Sequence, residues 1–295
     1  YKNNKMTLRR LFKKKSVGFK IALLVSLMFI SFILHMLIAM YIVNFLFDFN
    51  SNLIFSINNK QSINGLKIIQ FFNGVGLFII PLLIYRYLTG FNFKLNFDAV
   101  NRQNILLLIA IIVLVNPVVS FLYEWNQNIN IPDWLLNYEI RANELTEAFL
   151  QMNSLSGLLI NLFILALVPA IGEELFFRGY IQQSLSKWIN NSSTAIFITA
   201  ILFSAVHMQF QGFLPRLFLG IMLGYFLYWS KSLWLPIIAH FINNALAVVF
   251  SYPKFSQYSN ILTNSANLKE AIFSFIAISL LLFLLYNNLK VKKEY

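Results

Sequence analysis

A chain of 295 residues that is 58% hydrophobic and only 12% charged is not a soluble globular domain, in which about a quarter of residues carry charge. The formal charge of +12 is not a nucleic-acid footprint: the basic residues cluster at the two ends and between apolar runs, a pattern suited to a negative membrane leaflet. No cysteine is present, which excludes disulfides, thiolate metal ligands and a cysteine nucleophile.

Several apolar runs approach or exceed the roughly 18 to 20 residues that cross a bilayer. The short alternating segments of a membrane β-barrel do not occur. The sequence therefore predicts an all-α, polytopic membrane protein of about eight transmembrane helices. The basic opening, residues 1–20, leads into an apolar run reaching Phe47. That run exceeds the core of about 7 to 15 residues in a cleaved signal peptide, so it is read as a retained first span.

The expected spans cover 17–47, 66–88, 104–123, 155–188, 193–208, 214–229, 233–250 and 268–288. The fourth is longer than a bilayer requires, so part of it should project into water. Basic loop residues set orientation. The N-terminus, Arg86, Lys94, Arg102, Lys187, Lys231 and the tail are placed in the cytoplasm. The connection after the third span holds Glu124, Asp133, Glu139, Glu144 and Glu147 against Arg141, and is placed outside. Within it, 131–152 is too charged to span and is read as an amphipathic helix on the outer surface, a brace rather than a site. Residues 251–267 read as a polar outer loop. The organisation is thus an N-terminal set of spans with the amphipathic segment (1–152), a polar-bearing membrane domain (153–250), and an outer loop with a last span (251–295).

In the first three spans, Lys20, Lys67 and Arg86 are expected near span ends, where long side chains snorkel. His35 stands alone on an apolar span and is read as a hydrogen-bonded packing residue. The costly chemistry lies in "PAIGEELFFRGYI", residues 169–181. A central charge costs about 2.5 to 3.5 kcal/mol to insert, so Glu173, Glu174 and Arg178 together cost roughly 8 to 10. About ten upstream apolar residues return only about 3 to 6 kcal/mol on the same scale. The helix therefore needs polar partners or water. Glu174 and Arg178 are four apart and can pair on one face. Glu173 points about 100° away and has no such local partner.

Two histidines supply candidates. Phe203 lies one turn before His207, and Asn244 one turn after His240, on one side of its helix. If the fourth and fifth spans form a hairpin turning between Asn190 and Asn191, Glu174 and His207 both lie roughly 25 Å along their helices from that turn. His240 joins that level if the hairpin tip projects into the cytoplasm.

"EELFFR", "FSAVH" and "HFINN" match, in order, the EExxxR, FxxxH and HxxxN motifs of the CAAX-protease and bacteriocin-processing (CPBP, or Abi) family of intramembrane proteases. The resemblance covers residues 155–250. It implies intramembrane proteolysis, as in CAAX-box protein processing, within a conical intramembrane cavity. It implies Glu173 as general base, with His207 also holding the water. His240 and Asn244 would then donate to the developing oxyanion, and Glu174, Arg178 and Phe203 would support them. The family is often labelled a metalloprotease. No HExxH is present and the adjacent carboxylates point apart, so no metal is favoured; zinc held by Glu173, His207 and His240 is the alternative.

The glycines Gly172, Gly179, Gly212, Gly220 and Gly224 either open room for an extended peptide or let helices approach. The Gly220–Gly224 pair, a GxxxG, reads as helix packing. A composition rich in Phe, Ile, Asn and Lys suggests an AT-rich bacterial genome, hence a multi-pass protein of the bacterial inner membrane with both termini cytoplasmic. Protein prenylation is not expected there, so the expected substrate is a short, C-terminal or membrane-associated peptide or protein. Two rivals stand beside the protease. One is a noncatalytic scaffold or immunity protein keeping the same residues. The other is a proton-coupled transporter, since intramembrane carboxylates and histidines also make proton relays.

Overall fold

The computed structural model describes residues 11–12, 15–47, 59–92, 100–258 and 266–291. Most of the chain's start, Lys94, part of the 251–267 loop and the last four residues, on which part of the orientation argument rests, lie outside the described residues. Among the described residues the regular structure is helical, with no strand. Apolar runs in lipid must satisfy every backbone N–H and C=O within the segment, and a helix does so.

The helices are α1 (Val17–Phe47), α2 (Lys60–Thr89) and α3 (Arg102–Gln127), and α4 (Asp133–Leu150). There follow α5 (Leu155–Ile189), α6 (Ser192–Ala205), α7 (Phe213–Ser230), α8 (Trp234–Phe250) and α9 (Leu268–Val291). Six of them, α1, α2, α3, α5, α7 and α9, are long and apolar enough to cross a membrane, so the chain is a multi-pass membrane protein. The other two expected spans are shorter helices: α6 has 14 residues and α8 has 17. These reach about 21 and 26 Å, short of the roughly 30 Å hydrocarbon core.

Two expectations change. The second helix starts at Lys60 rather than 66, because the Asn59 side chain accepts from the Gln61 N–H and caps it. Lys67 consequently sits two turns inside the helix and is buried, 7% exposed, instead of snorkelling from an end. The helix expected over 193–208 stops at Ala205, which leaves His207 on a turn.

The chain divides into two compact units. One comprises α1, α2 and residues 171–176 of α5; the other holds α3, α4, the rest of α5 and α6 to α9. In the first, Gly76 lets α2 approach α1: a Cβ there would lie 2.6 Å from the His35 Cβ. His35 Nδ1 donates to the Ser31 carbonyl at 2.8 Å, and its ring packs 6.3 Å from that of Phe72. Gly172 brings its own turn close to α2 as well, since a Cβ there would meet the Phe78 Cβ at 3.0 Å. Phe176 stacks on Phe78 with centroids 5.6 Å apart.

The second unit is built on a core of Leu108, Ile111 and Ile112 from α3, Leu223 and Phe226 from α7, Leu235 and Ala239 from α8, and Ile278 and Leu285 from α9. α3 breaks at Val115 because Pro117 has no N–H for the Val113 carbonyl. Asn116 Nδ2 donates to that carbonyl instead, at 3.0 Å, and Ser274 Oγ of α9 donates to Leu114 O. Asn161 Nδ2 donates to Phe149 O at 2.7 Å, tying α5 to the end of α4. α5 turns back into α6 at Asn190, which is left-handed at φ 56°. The Asn191 side chain then caps α6 by accepting from the Thr194 N–H.

Three stretches are π-helical: Val75–Ile79 in α2, and Leu162–Leu167 and Leu175–Gln182 in α5. The two in α5 flank the turn that carries Glu173 and Glu174. Such bulges loosen the i to i−4 ladder and recur at functional sites.

Candidate active site

The centre of the second unit's polar cluster is an aromatic ring. Phe203, 5% exposed, is held on α6. The Arg178 guanidinium carbon lies 4.4 Å from its centroid, where the negative face of the ring attracts a cation. Phe177 meets the ring edge-on at 5.2 Å. The imidazoles of His207 and His240 meet it at 5.2 Å and 5.8 Å, the latter at 88°. One side chain thereby orients a cation and two imidazoles from three other stretches of chain.

His207 has a fixed tautomer. Its Nδ1 lies 2.8 Å from the Phe203 carbonyl oxygen. A carbonyl only accepts, so Nδ1 carries the proton and Nε2 keeps its lone pair. That nitrogen can accept from a water or take up a proton. The turn that presents His207 is heavily braced. Met208 is left-handed at φ 55°. The Gln211 N–H donates to Glu139 Oε1 at 2.7 Å, and the Leu214 N–H donates to Asn126 Oδ1 at 3.0 Å. Ser204 Oγ donates to Phe213 O at 2.6 Å. Arg216 donates to the Gln209 carbonyl at 3.1 Å and to its side-chain oxygen. Glu139, 2% exposed, thus ties the amphipathic helix α4 to the turn.

On α8, His240 is buried and Asn244, one turn on, is half-buried. Asn244 Nδ2 makes a long contact of 3.4 Å to Leu165 O, a carbonyl in the first π-helical stretch of α5. The amide nitrogen has two protons; the second can be given to another acceptor.

α5 and α7 are joined by a two-rung ladder. Arg178 Nη2 donates to Gly220 O at 3.0 Å, and Gln182 Nε2 donates to Gly224 O at 3.0 Å. Donors four apart meet acceptors four apart. The glycines expose those carbonyls and let α7 close on α6: a Cβ on Gly220 would lie 3.1 Å from the Ala200 Cβ, and one on Gly224 only 2.6 Å from Ile196 Cγ2. The GxxxG pair therefore serves packing.

Sequence reasoning passed over Gln182, Asn126 and Glu139. For Gln182 a signal existed: a polar residue one turn beyond Arg178, in register with the GxxxG. For Asn126 and Glu139 none did, since their partners are 88 and 72 residues away.

Glu173 and Glu174 fall in the unit of α1 and α2. Glu174 is 0% exposed while Glu173 is half-buried. Adjacent carboxylates thus meet different surroundings, and only Glu173 keeps a partly accessible surface. Among the described residues, no group of three or more His, Asp or Glu is arranged to hold a metal ion.

Residues 155–246, about a third of the chain, match the family model described as Type II CAAX prenyl endopeptidase Rce1-like. This segment contains every residue of the three motifs and is similar to the CAAX protease family that the model describes. No curated protein and no solved structure matches the chain.

Proposed function

We propose that the chain is an intramembrane endopeptidase that hydrolyses a peptide bond in a membrane-associated or C-terminal peptide. The observation that carries this reading is the Phe203 cluster. It holds two imidazoles about one ring and fixes His207 with Nε2 as an acceptor, inside the segment that matches the CAAX prenyl endopeptidase model.

In this mechanism Glu173 takes a proton from a water that His207 Nε2 also holds. The water oxygen attacks the scissile carbonyl carbon. The carbonyl oxygen becomes negative and is stabilised by donors from His240 and Asn244, whose second amide proton is suited to that task. The C–N bond then breaks, and Glu173 passes its proton to the leaving amine. The half-burial of Glu173 suits a group that must meet water, and the full burial of Glu174 suits a supporting one. Arg178 and Phe203 hold the imidazoles. The reaction needs no metal; zinc held by Glu173, His207 and His240 is the alternative. These roles require the motif residues to share a conical, water-filled cavity opening to the cytoplasm. They also require α6 and α8 to count as crossings, making eight, with both termini inside a bacterial inner membrane.

The test uses the full chain in lipid nanodiscs with a library of peptides, prenylated and plain, free and lipid-anchored. Wild type should release fragments, with or without a zinc chelator. Glu173→Gln should lower turnover by about 10² or more, the usual range for losing a general base, while melting at the wild-type temperature. Equal turnover in both proteins would remove Glu173 from the mechanism. A proton flux in sealed vesicles without any cleavage would favour the carrier reading.

A further inference from the structure

A second polar feature lies at the other end of α7. A cavity of about 290 Å³ is lined by Tyr228, Trp229, Lys231, Tyr286 and Lys290. It sits about 16 Å along α7 from Gly220, and the endopeptidase reading does not use it. We propose that this cavity binds the phosphate of an anionic phospholipid, with the acyl chains lying along α9.

The position of the cavity favours such a ligand. Lys231 follows the last residue of α7, and Lys290 is in the last turn of α9. Both helices are long and apolar enough to cross a membrane. The cavity therefore lies where two spans leave the hydrocarbon, at the level of lipid headgroups. Its aromatic lining fits that level, where Trp and Tyr collect. Trp229 and Tyr286 pack with centroids 5.6 Å apart and form its wall.

The backbone at Lys231 favours it too. Three helices end on a left-handed residue: α2 on Gly90 (φ 72°), α5 on Asn190 (φ 56°) and α7 on Lys231 (φ 57°). Glycine and asparagine are the usual choices there. Lysine accepts about 1 to 2 kcal/mol of strain in that conformation. A strained position filled by a less suitable residue points to a task for its side chain. Its Nζ lies 4.1 Å from the centroid of Tyr228, held at the cavity wall.

The shape of the cavity agrees. The volume, about 290 Å³, lies just below that of pockets for drug-sized ligands, roughly 300 to 1,000 Å³, and suits a headgroup rather than a whole amphiphile. Phe283, Tyr286 and Lys290 share a face of α9 at helical spacing, and Phe283 is 62% exposed. An apolar ridge thus leads from the cavity down the span. Free phosphate would use the two lysines and leave the ridge unused; a phospholipid uses both.

The full chain in detergent should be titrated with dioleoylphosphatidylglycerol or dioleoylphosphatidylcholine and bound lipid counted by native mass spectrometry. Phosphatidylglycerol should bind about tenfold or more tightly than phosphatidylcholine, since each lysine near an anionic headgroup adds attraction. Lys231→Asn with Lys290→Gln should bring that ratio close to one. Asparagine keeps the left-handed cap, and Lys290 is exposed, so the variant retains its fold; an unchanged melting temperature checks this. Lys290→Gln alone should give an intermediate ratio. A preference that survives the double change would overturn the proposal. So would displacement of the lipid by millimolar inorganic phosphate, which would make this a free-anion site.

Discussion

Arg178 shows how one buried side chain is held by two different forces. It is fully buried, lies over the Phe203 ring and donates to the Gly220 carbonyl. A desolvated cation–π contact contributes up to about 2 kcal/mol and a charged hydrogen bond about 1.5 to 3. Arg178→Met should therefore cost roughly 2 to 4 kcal/mol in a detergent-unfolding titration. Arg178→Lys should recover less than half, because a point ammonium cannot lie flat on a ring and reach the carbonyl together. Full stability in Arg178→Met would show that neither contact holds the helix. The arginine was legible as a motif residue four after Glu174. Its ring and its carbonyl were not, because both lie on other helices.

At the scale of helices, the α5–α7 ladder and the α6–α7 approach meet at Gly220 and Gly224. Alanine is the better helix former by up to about 1 kcal/mol, yet overpacking costs about 1 to 3. At Gly224 the new Cβ would meet Ile196 Cγ2 at 2.6 Å, and a β-branched side chain on a helix has little room to turn. The clash wins, so Gly224→Ala should lower the melting temperature. At Gly220 the nearest atom is 3.1 Å away, and the loss should be smaller. Ile196→Ala, combined with Gly224→Ala, should recover much of the loss; simple additivity of the two changes would refute the contact. The GxxxG was readable from spacing. The π-helical stretches beside it were not, since an inserted residue leaves the apolar composition of a span unchanged.

For the molecule as a whole, the charge pattern makes a topological claim that a cysteine-free chain can test cleanly. Single cysteines at Lys187 and Glu144, both exposed, should behave oppositely in intact cells. Glu144→Cys should react with an impermeant maleimide from outside, and Lys187→Cys only after permeabilisation. Labelling of both from outside would invert the arrangement proposed for the α5–α6 turn. The helical class follows from sequence alone, because long apolar runs leave the backbone no partner but itself. The motif residues are likewise legible, because polar side chains in such runs are too costly to be incidental. Three-dimensional packing alone settles the rest: that Phe203 gathers two imidazoles, that Nδ1 of His207 is the protonated nitrogen, and that Glu139 clasps a turn 72 residues away. Each depends on which helix faces meet, and no periodicity within a helix encodes the neighbour it will find.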